Sequence, residues 1–172
     1  KAIDKNGIVL YMGSISKSLA AGLRIGWLIG PHTVIERLGD IKMQLDYGAS
    51  SLSQCVVAEL LNSGLYDKYL MELRNNLKIR RQIALDTLQK HFLDIATWNK
   101  PTGGFYIWLK LKKQISMQKL FTLTAKENLL INPGNIYDFS NHQCIRISYS
   151  YASVENLEKG LKRLSELIIN CS

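Results

Sequence analysis

Lys17 stands between two serines in the run Gly13-Ser-Ile-Ser-Lys-Ser18, and Arg24 follows seven residues later. Hydroxyls and a permanently charged guanidinium suit a phosphate group, because the guanidinium fork can donate in bidentate fashion while the hydroxyls donate to the remaining oxygens. The amine of Lys17 is then left over for covalent chemistry. An ammonium beside a cationic site and partly removed from water loses its proton more readily, which is what a Schiff-base lysine needs. The same residues also read as a plain polar loop with Arg24 as a surface charge, and spacing alone leaves both readings open.

The elements around this loop decide what it can do. Residues 7–12 and 23–29 read as short apolar strands on either side of it, and their mostly apolar faces predict the interior of an α/β sheet. In such sheets ligands collect at strand ends. A helix is predicted over 33–45, opened by a Thr33 and Glu36 capping box, and a second over 50–62, ended by Ser63-Gly64. From Leu65 to Phe92 the stripe Tyr66, Leu70, Leu73, Leu77, Ala84, Leu88 keeps helical spacing without Gly or Pro. A helix of that length, about 40 Å, commonly bridges two lobes. Strands are then predicted over 95–98, 104–111, 129–132 and 145–149, with turns at Pro101-Thr-Gly-Gly104 and Pro133-Gly134 and a short helix over 116–126. Ser153 caps a last helix with Glu155 in its first turn and Val154, Leu157, Leu161, Leu164 and Ile168 on one face. The expected architecture is α/β: the end of a large-domain sheet (1–64), a connecting helix (65–92) and an α+β small domain (93–172).

Composition narrows the function classes. The 172 residues are 47% hydrophobic and 21% charged, which excludes a wholly disordered chain. Lys and Arg number 22 against 14 Asp and Glu, a formal charge of +8. These charges are scattered, and the tightest group, Lys110, Lys112 and Lys113, lacks the interleaved aromatics of a nucleic-acid surface. Cys55, Cys144 and Cys171 show neither a disulfide framework nor zinc spacing, which fits a reducing cytoplasm. His32, His91 and His142 lack metal-ligand spacing, so no metal is expected. No apolar run approaches the roughly 18–20 residues of a membrane span, and no signal core follows the N-terminus. The opening Lys1-Ala2, already close to a strand, reads as the start of an excised piece of a longer chain.

The run GSISKSLAAGLRIGWLIGP resembles the cofactor-lysine segment of fold-type-I, class I/II aminotransferases that depend on pyridoxal 5'-phosphate. The seven-residue step from Lys17 to Arg24 is similar to one branch, the 2-aminoadipate and kynurenine transaminases and the aminotransferase-like domains of MocR-type GntR-family regulators. PTGGFYIWLKL resembles the family's small-domain turn and strand, INPGNIYDF its substrate-side Pro-Gly loop, and IRISYSYAS the strand whose arginine binds the substrate carboxylate. The resemblance implies that Lys17 carries the cofactor and acts in catalysis. It further implies that Ser14, Ser16 and Arg24 surround the cofactor phosphate, with Ser14 the better donor, and that Arg146 holds an amino-acid carboxylate. Strand alternation agrees with the last role, because it points Arg146 away from Ile145 and Ile147. Ala21, Ile15 and Tyr137 depart from the proline, phenylalanine and phenylalanine common in relatives.

The resemblance implies two functions that share these residues. One is the effector-sensing domain of a MocR-type regulator, with DNA bound only through an N-terminal domain that precedes this chain. The other is a catalytic aminotransferase that moves an amino group between an amino acid and a 2-oxo acid. A third expectation is that residues 1–172 alone are a small-domain and dimerisation module, since about half of the family's cofactor site precedes Lys17. The implied partners are an amino-acid substrate or effector and a second copy in a homodimer, with no membrane. The implied location is the cytoplasm.

Overall fold

The computed structural model describes residues 1–137, 139–140 and 143–171. Asp138 of the Pro-Gly loop motif and His142 lie outside the described residues. The chain divides into two compact units, residues 1–72 and residues 73–172, and the division falls inside the long helix.

In the first unit, strands β1 (Tyr11–Ser14) and β2 (Gly26–Ile29) pair antiparallel, Ser14 opposite Gly26 and Tyr11 opposite Ile29. Helices α1 (His32–Asp46) and α2 (Ser51–Asn62) follow, then the start of α3 (Leu65–His91). Both strands are shorter than the apolar runs suggest, since Ile8, Val9 and Leu10 precede β1 and Leu23 sits in a 3-10 turn. Tyr11, Met12, Trp27 and Ile29 are exposed in this two-stranded sheet. The capping box also fails. Pro31 is the N-cap of α1 and no side chain caps it, while Glu36 pairs with His32 one turn back, at 3.1 Å. Proline, with its fixed φ, caps the helix two residues earlier than the Thr33 signal implies. At α2 the expected helix is present, and the Ser50 hydroxyl caps it by accepting from the Ser53 amide.

The second unit holds the main core. Its sheet contains β3 (Ala96–Trp98), β4 (Tyr106–Leu111), β5 (Asn132–Pro133) and β6 (Cys144–Ser148) in the order β3-β4-β6-β5, all neighbours antiparallel. Helix α4 (Met117–Lys126) connects β4 to β5, and α5 (Val154–Asn170) closes the chain. Strand β5 begins at Asn132 rather than Leu129. Leu129 closes the end of α4 instead, its amide donating to the Thr124 carbonyl. Ser116 and Ser153 cap α4 and α5 as their sequences suggest.

Alternation sorts the sheet's faces. Ile107, Leu109 and Leu111 of β4 and Ile145 and Ile147 of β6 join one buried cluster with Ala84 and Leu88 of α3, Phe92 just after that helix, and the leucine stripe of α5. Arg80 ties α3 to the segment after β6: its Nε donates to the Tyr149 carbonyl at 3.1 Å, and a second nitrogen donates to the Ala152 carbonyl. Because Leu88 is fully buried in this cluster, Leu88→Ala is expected to cost about 2–5 kcal/mol. Urea denaturation of the second unit measures this, and the first unit's transition should not move.

Candidate functional site

Between β1 and β2 the chain makes one short excursion, and this excursion carries Ser16, Lys17 and Arg24. It leaves the ladder beside Gly13, which pairs with Trp27. A Cβ at Gly13 would collide with the Trp27 indole, so glycine leaves that ring its place across the strand pair. Ile15 anchors the excursion. It is 2% exposed, its amide donates to the Ile25 carbonyl at 3.3 Å, and its carbonyl accepts from the Leu19 amide at 2.8 Å. That last bond closes a single helical turn with Lys17 at its middle.

Hydroxyls organise the start of this turn. Ser14 Oγ lies 3.0 Å from Ser16 Oγ and 3.2 Å from the Ile25 carbonyl, and it accepts from the Ser16 amide at 3.1 Å. With a single proton, Ser14 satisfies only one of its two acceptors at a time. Ser18 Oγ and the Tyr66 hydroxyl are 2.7 Å apart, tying the far side of the turn to the start of α3. Arg24 ends the 3-10 turn Ala21–Leu23 with φ 55°, a left-handed conformation that costs a non-glycine residue on the order of 1 kcal/mol. Its guanidinium donates to the Ala21 carbonyl at 3.3 Å and keeps its other donors available.

Lys17 and Arg24 are both exposed, so the expected removal of the amine from water is not met in these residues. No Asp or Glu occurs from residue 13 to residue 30. An amine, a guanidinium and hydroxyls without a competing carboxylate form a donor set for a phosphorylated aldehyde.

Arg146 belongs to the second unit. It lies on β6, between β4 and β5, opposite Trp108 on one side and Asn132 on the other. Its guanidinium carbon sits 4.0 Å from the Tyr106 ring centre and 4.2 Å from that of Tyr137, so the cation is held between two aromatic faces. Trp108 meets Tyr137 edge-on, with centroids 6.1 Å apart. The Arg146 Nε is buried and has no hydrogen-bond partner. A half-buried guanidinium held on π faces, with its Nε unanswered among the described residues, is arranged to bind an anion.

Four of the expected residues, Ser14, Ser16, Lys17 and Arg24, therefore share one strand end and its excursion, and a hydrogen bond joins the two serines. The reading from sequence missed Tyr106 and the Ser18–Tyr66 pair. Tyr106 lies two residues from Trp108 on the same strand, and only the β4–β6 register shows that this spacing brings it to Arg146.

Fold and site together define a class. The chain matches the aminotransferase class I and II family over residues 2–164 and belongs to it. It is similar to the HTH-type transcriptional regulator YdfD of Bacillus subtilis (strain 168), 53% identical over 168 residues that make up 98% of this chain and 35% of that protein. It is 44% identical to the HTH-type transcriptional regulator NorG of Staphylococcus aureus (strain USA300), over 95% of this chain and 37% of NorG. Among solved structures it resembles a Pyrococcus horikoshii kynurenine aminotransferase in complex with PMP, with 30% identity and a TM-score of 0.91, covering 98% of this chain and 42% of the enzyme. A second likeness is to LysN, an α-aminoadipate aminotransferase from Thermus thermophilus, with 27% identity and a TM-score of 0.87 over 95% of this chain and 42% of the enzyme. The chain thus spans between a third and a half of the length of these relatives.

If Ile15 anchors the Lys17 turn, Ile15→Ala should loosen it, at a cost of about 2–5 kcal/mol to the first unit. Hydrogen exchange read by mass spectrometry should then speed up in peptides containing the Ile15 and Leu19 amides and stay unchanged over residues 104–111.

Proposed function

We propose that residues 1–172 are the C-terminal part of the aminotransferase-like, effector-sensing domain of a MocR-type GntR-family transcriptional regulator. In this reading residues 1–64 end the cofactor-binding large domain, residues 65–92 connect, and residues 93–172 are the small domain. The observation that carries it is the kinship with HTH-type regulators: about half of the residues are identical along nearly the whole chain, while the chain accounts for about a third of their length. That proportion leaves room for a DNA-binding domain ahead of the missing half of the large domain. The reading includes a homodimer in the cytoplasm that contacts DNA only through that N-terminal domain. Among the described residues no helix is long and apolar enough to cross a membrane.

Pyridoxal 5'-phosphate fits the donor set of the first unit. Ser14 and Arg24 would hold its phosphate with Ser16 alongside, and the Lys17 amine would hold its aldehyde carbon. When bound, the cofactor supplies an electron sink for charge that develops on an amino acid's α-carbon. Lys17 has no ion-pair partner among the described residues. Its Nζ would be the group that moves a proton to or from that α-carbon. Arg146 would bind the amino acid's carboxylate, held in place by Tyr106 and Tyr137. The alternative, a catalytic amino-acid aminotransferase, is supported by the likeness to the Pyrococcus horikoshii enzyme, and it uses the same three residues. The two readings differ in consequence: the regulator changes its DNA affinity when the amino acid binds, whereas the enzyme releases a 2-oxo acid over many turnovers.

In the full-length protein, borohydride reduction followed by peptide mapping should find the cofactor on Lys17, and Lys17→Ala should abolish the cofactor's absorbance band without unfolding the chain. A label on another lysine overturns the assignment. Arg24→Ala should weaken cofactor retention, and Arg146→Ala should spare the cofactor while weakening amino-acid binding. Each loss is roughly 30- to 1000-fold, the equivalent of about 2–4 kcal/mol for a charge-assisted bidentate contact. Adding amino acids while following both DNA affinity and 2-oxo acid release separates regulator from enzyme.

A further inference from the structure

We propose that the second unit carries a separate binding site for a small phosphate-type anion, in the cleft between α3 and the Pro101–Gly104 turn. Arg74, Lys78 and Arg81 recur at intervals of four and three residues, so they share one face of α3 and span about 10 Å along its axis. The cleft they line has a volume of about 380 Å³, at the small end of the roughly 300–1,000 Å³ of small-molecule sites. Thr102, Gly103 and Gly104 form its other wall, and no carboxylate lines it. None of the three cations takes part in an ion pair among the described residues.

Arg81 and the turn opposite it are held in place, and donors on both are left unanswered among the described residues. Arg81 donates one terminal nitrogen to the Pro101 carbonyl at 3.0 Å, while its Nε is buried without a hydrogen-bond partner. The Tyr149 hydroxyl donates to the Gly104 carbonyl at 2.6 Å. Both ends of the turn are thereby fixed through their carbonyls. The backbone amides of Gly103 and Gly104 and the Thr102 hydroxyl find no acceptor among the described residues. Gly104 has φ +82°, and a Cβ at Gly103 would meet nothing within 4 Å, so the turn leaves open space beside those amides. Successive backbone N–H groups in such a turn, with guanidinium groups beside them, form an anion-binding concavity.

Charge selects the ligand class. One carboxylate carries a single negative charge, too little for three uncompensated cations spread over about 10 Å of helix. A phosphate dianion or a pyrophosphate carries several charges and enough oxygens to accept from guanidinium, ammonium, hydroxyl and amide donors together. The site is not the Arg146 site. Tyr149 stands on β6's buried side with Ile145 and Ile147, whereas Arg146 is stacked between Tyr106 and Tyr137 on the other face. Nor does the proposal depend on Lys17 or on the regulator reading.

Isothermal titration of the full-length, cofactor-loaded protein tests it with three probes: inorganic phosphate, pyrophosphate and glycerol 3-phosphate. At least one should bind at millimolar concentration or tighter, and the double variant Arg74→Gln/Lys78→Gln should weaken it about 30-fold or more. Both side chains are exposed and make no intramolecular hydrogen bond, so this variant keeps the fold. Arg81→Gln should act in the same direction. Lys110→Gln/Lys112→Gln should leave binding within about twofold. Tighter binding of glycerol 3-phosphate than of the inorganic anions identifies a phosphate ester as the source, and the reverse order identifies the free anion. The proposal is overturned if none of the probes binds below about 10 mM. It is equally overturned if the double variant binds like wild type, if Lys110→Gln/Lys112→Gln weakens binding as much as the cleft variants do, or if the cleft variants weaken only duplex DNA binding.

Discussion

A permanently charged guanidinium cannot sit in an apolar core without a partner, and on β6 this constraint sets the arrangement of the whole second unit. Ile145 and Ile147 are buried, so the residue between them must face the other way. A slip of one residue in the β4–β6 register would bring Arg146 into the cluster of Ile107, Leu109 and the α5 leucines. The register that avoids this places Trp108 opposite Arg146 and brings Tyr106 to the same face, two residues away. Two tyrosine rings then replace part of the water that the guanidinium loses. Stability of the core and readiness of the cation come from the same alternation.

The first unit handles charge differently. Its basic groups lie on an excursion whose backbone is anchored by one buried isoleucine and whose hydroxyls bond chiefly to each other and to main-chain carbonyls. No acidic side chain enters residues 13–30. Lys17 and Arg24 consequently keep their charge uncompensated and face water. Such a segment is prepared for an anion whose remaining contacts come from elsewhere, which agrees with a chain that spans between a third and a half of the relatives it matches.

Basic charge recurs in both units, yet it is deployed for different geometries. Arg163 is neutralised, with Glu127 and Glu166 at 2.6 and 2.7 Å, and Arg80 is spent on two carbonyls that hold the end of β6 to α3. Arg146 lies on π faces, and Arg74, Lys78 and Arg81 line a cleft whose polar neighbours are donors. The net charge of +8 is therefore uneven in meaning: part of it fastens the fold, and part is left without a counterion where a ligand would supply one.

Much of this was legible in the chain. The Ser-rich run around Lys17, with Arg24 seven residues on and the Pro-x-Gly-Gly and Ile-Arg-Ile segments downstream, resembled the family that the match over residues 2–164 shows, whereas spacing alone left the roles of the candidate residues open. The long stripe of α3, the α5 stripe and the Ser153 cap were likewise readable, since helix periodicity and capping are local properties. The strand ends of the first unit and the start of α1 were not. Short apolar runs do not say where pairing begins, and proline at position 31 took the cap that Thr33 and Glu36 suggested. Nor could the sequence show that Lys17 is exposed, that Tyr106 and Tyr137 enclose Arg146, or that Arg81 of the long helix meets a turn twenty residues later. Those facts depend on register and on which surfaces come together, and both are decided only when distant segments bury their apolar faces in one core.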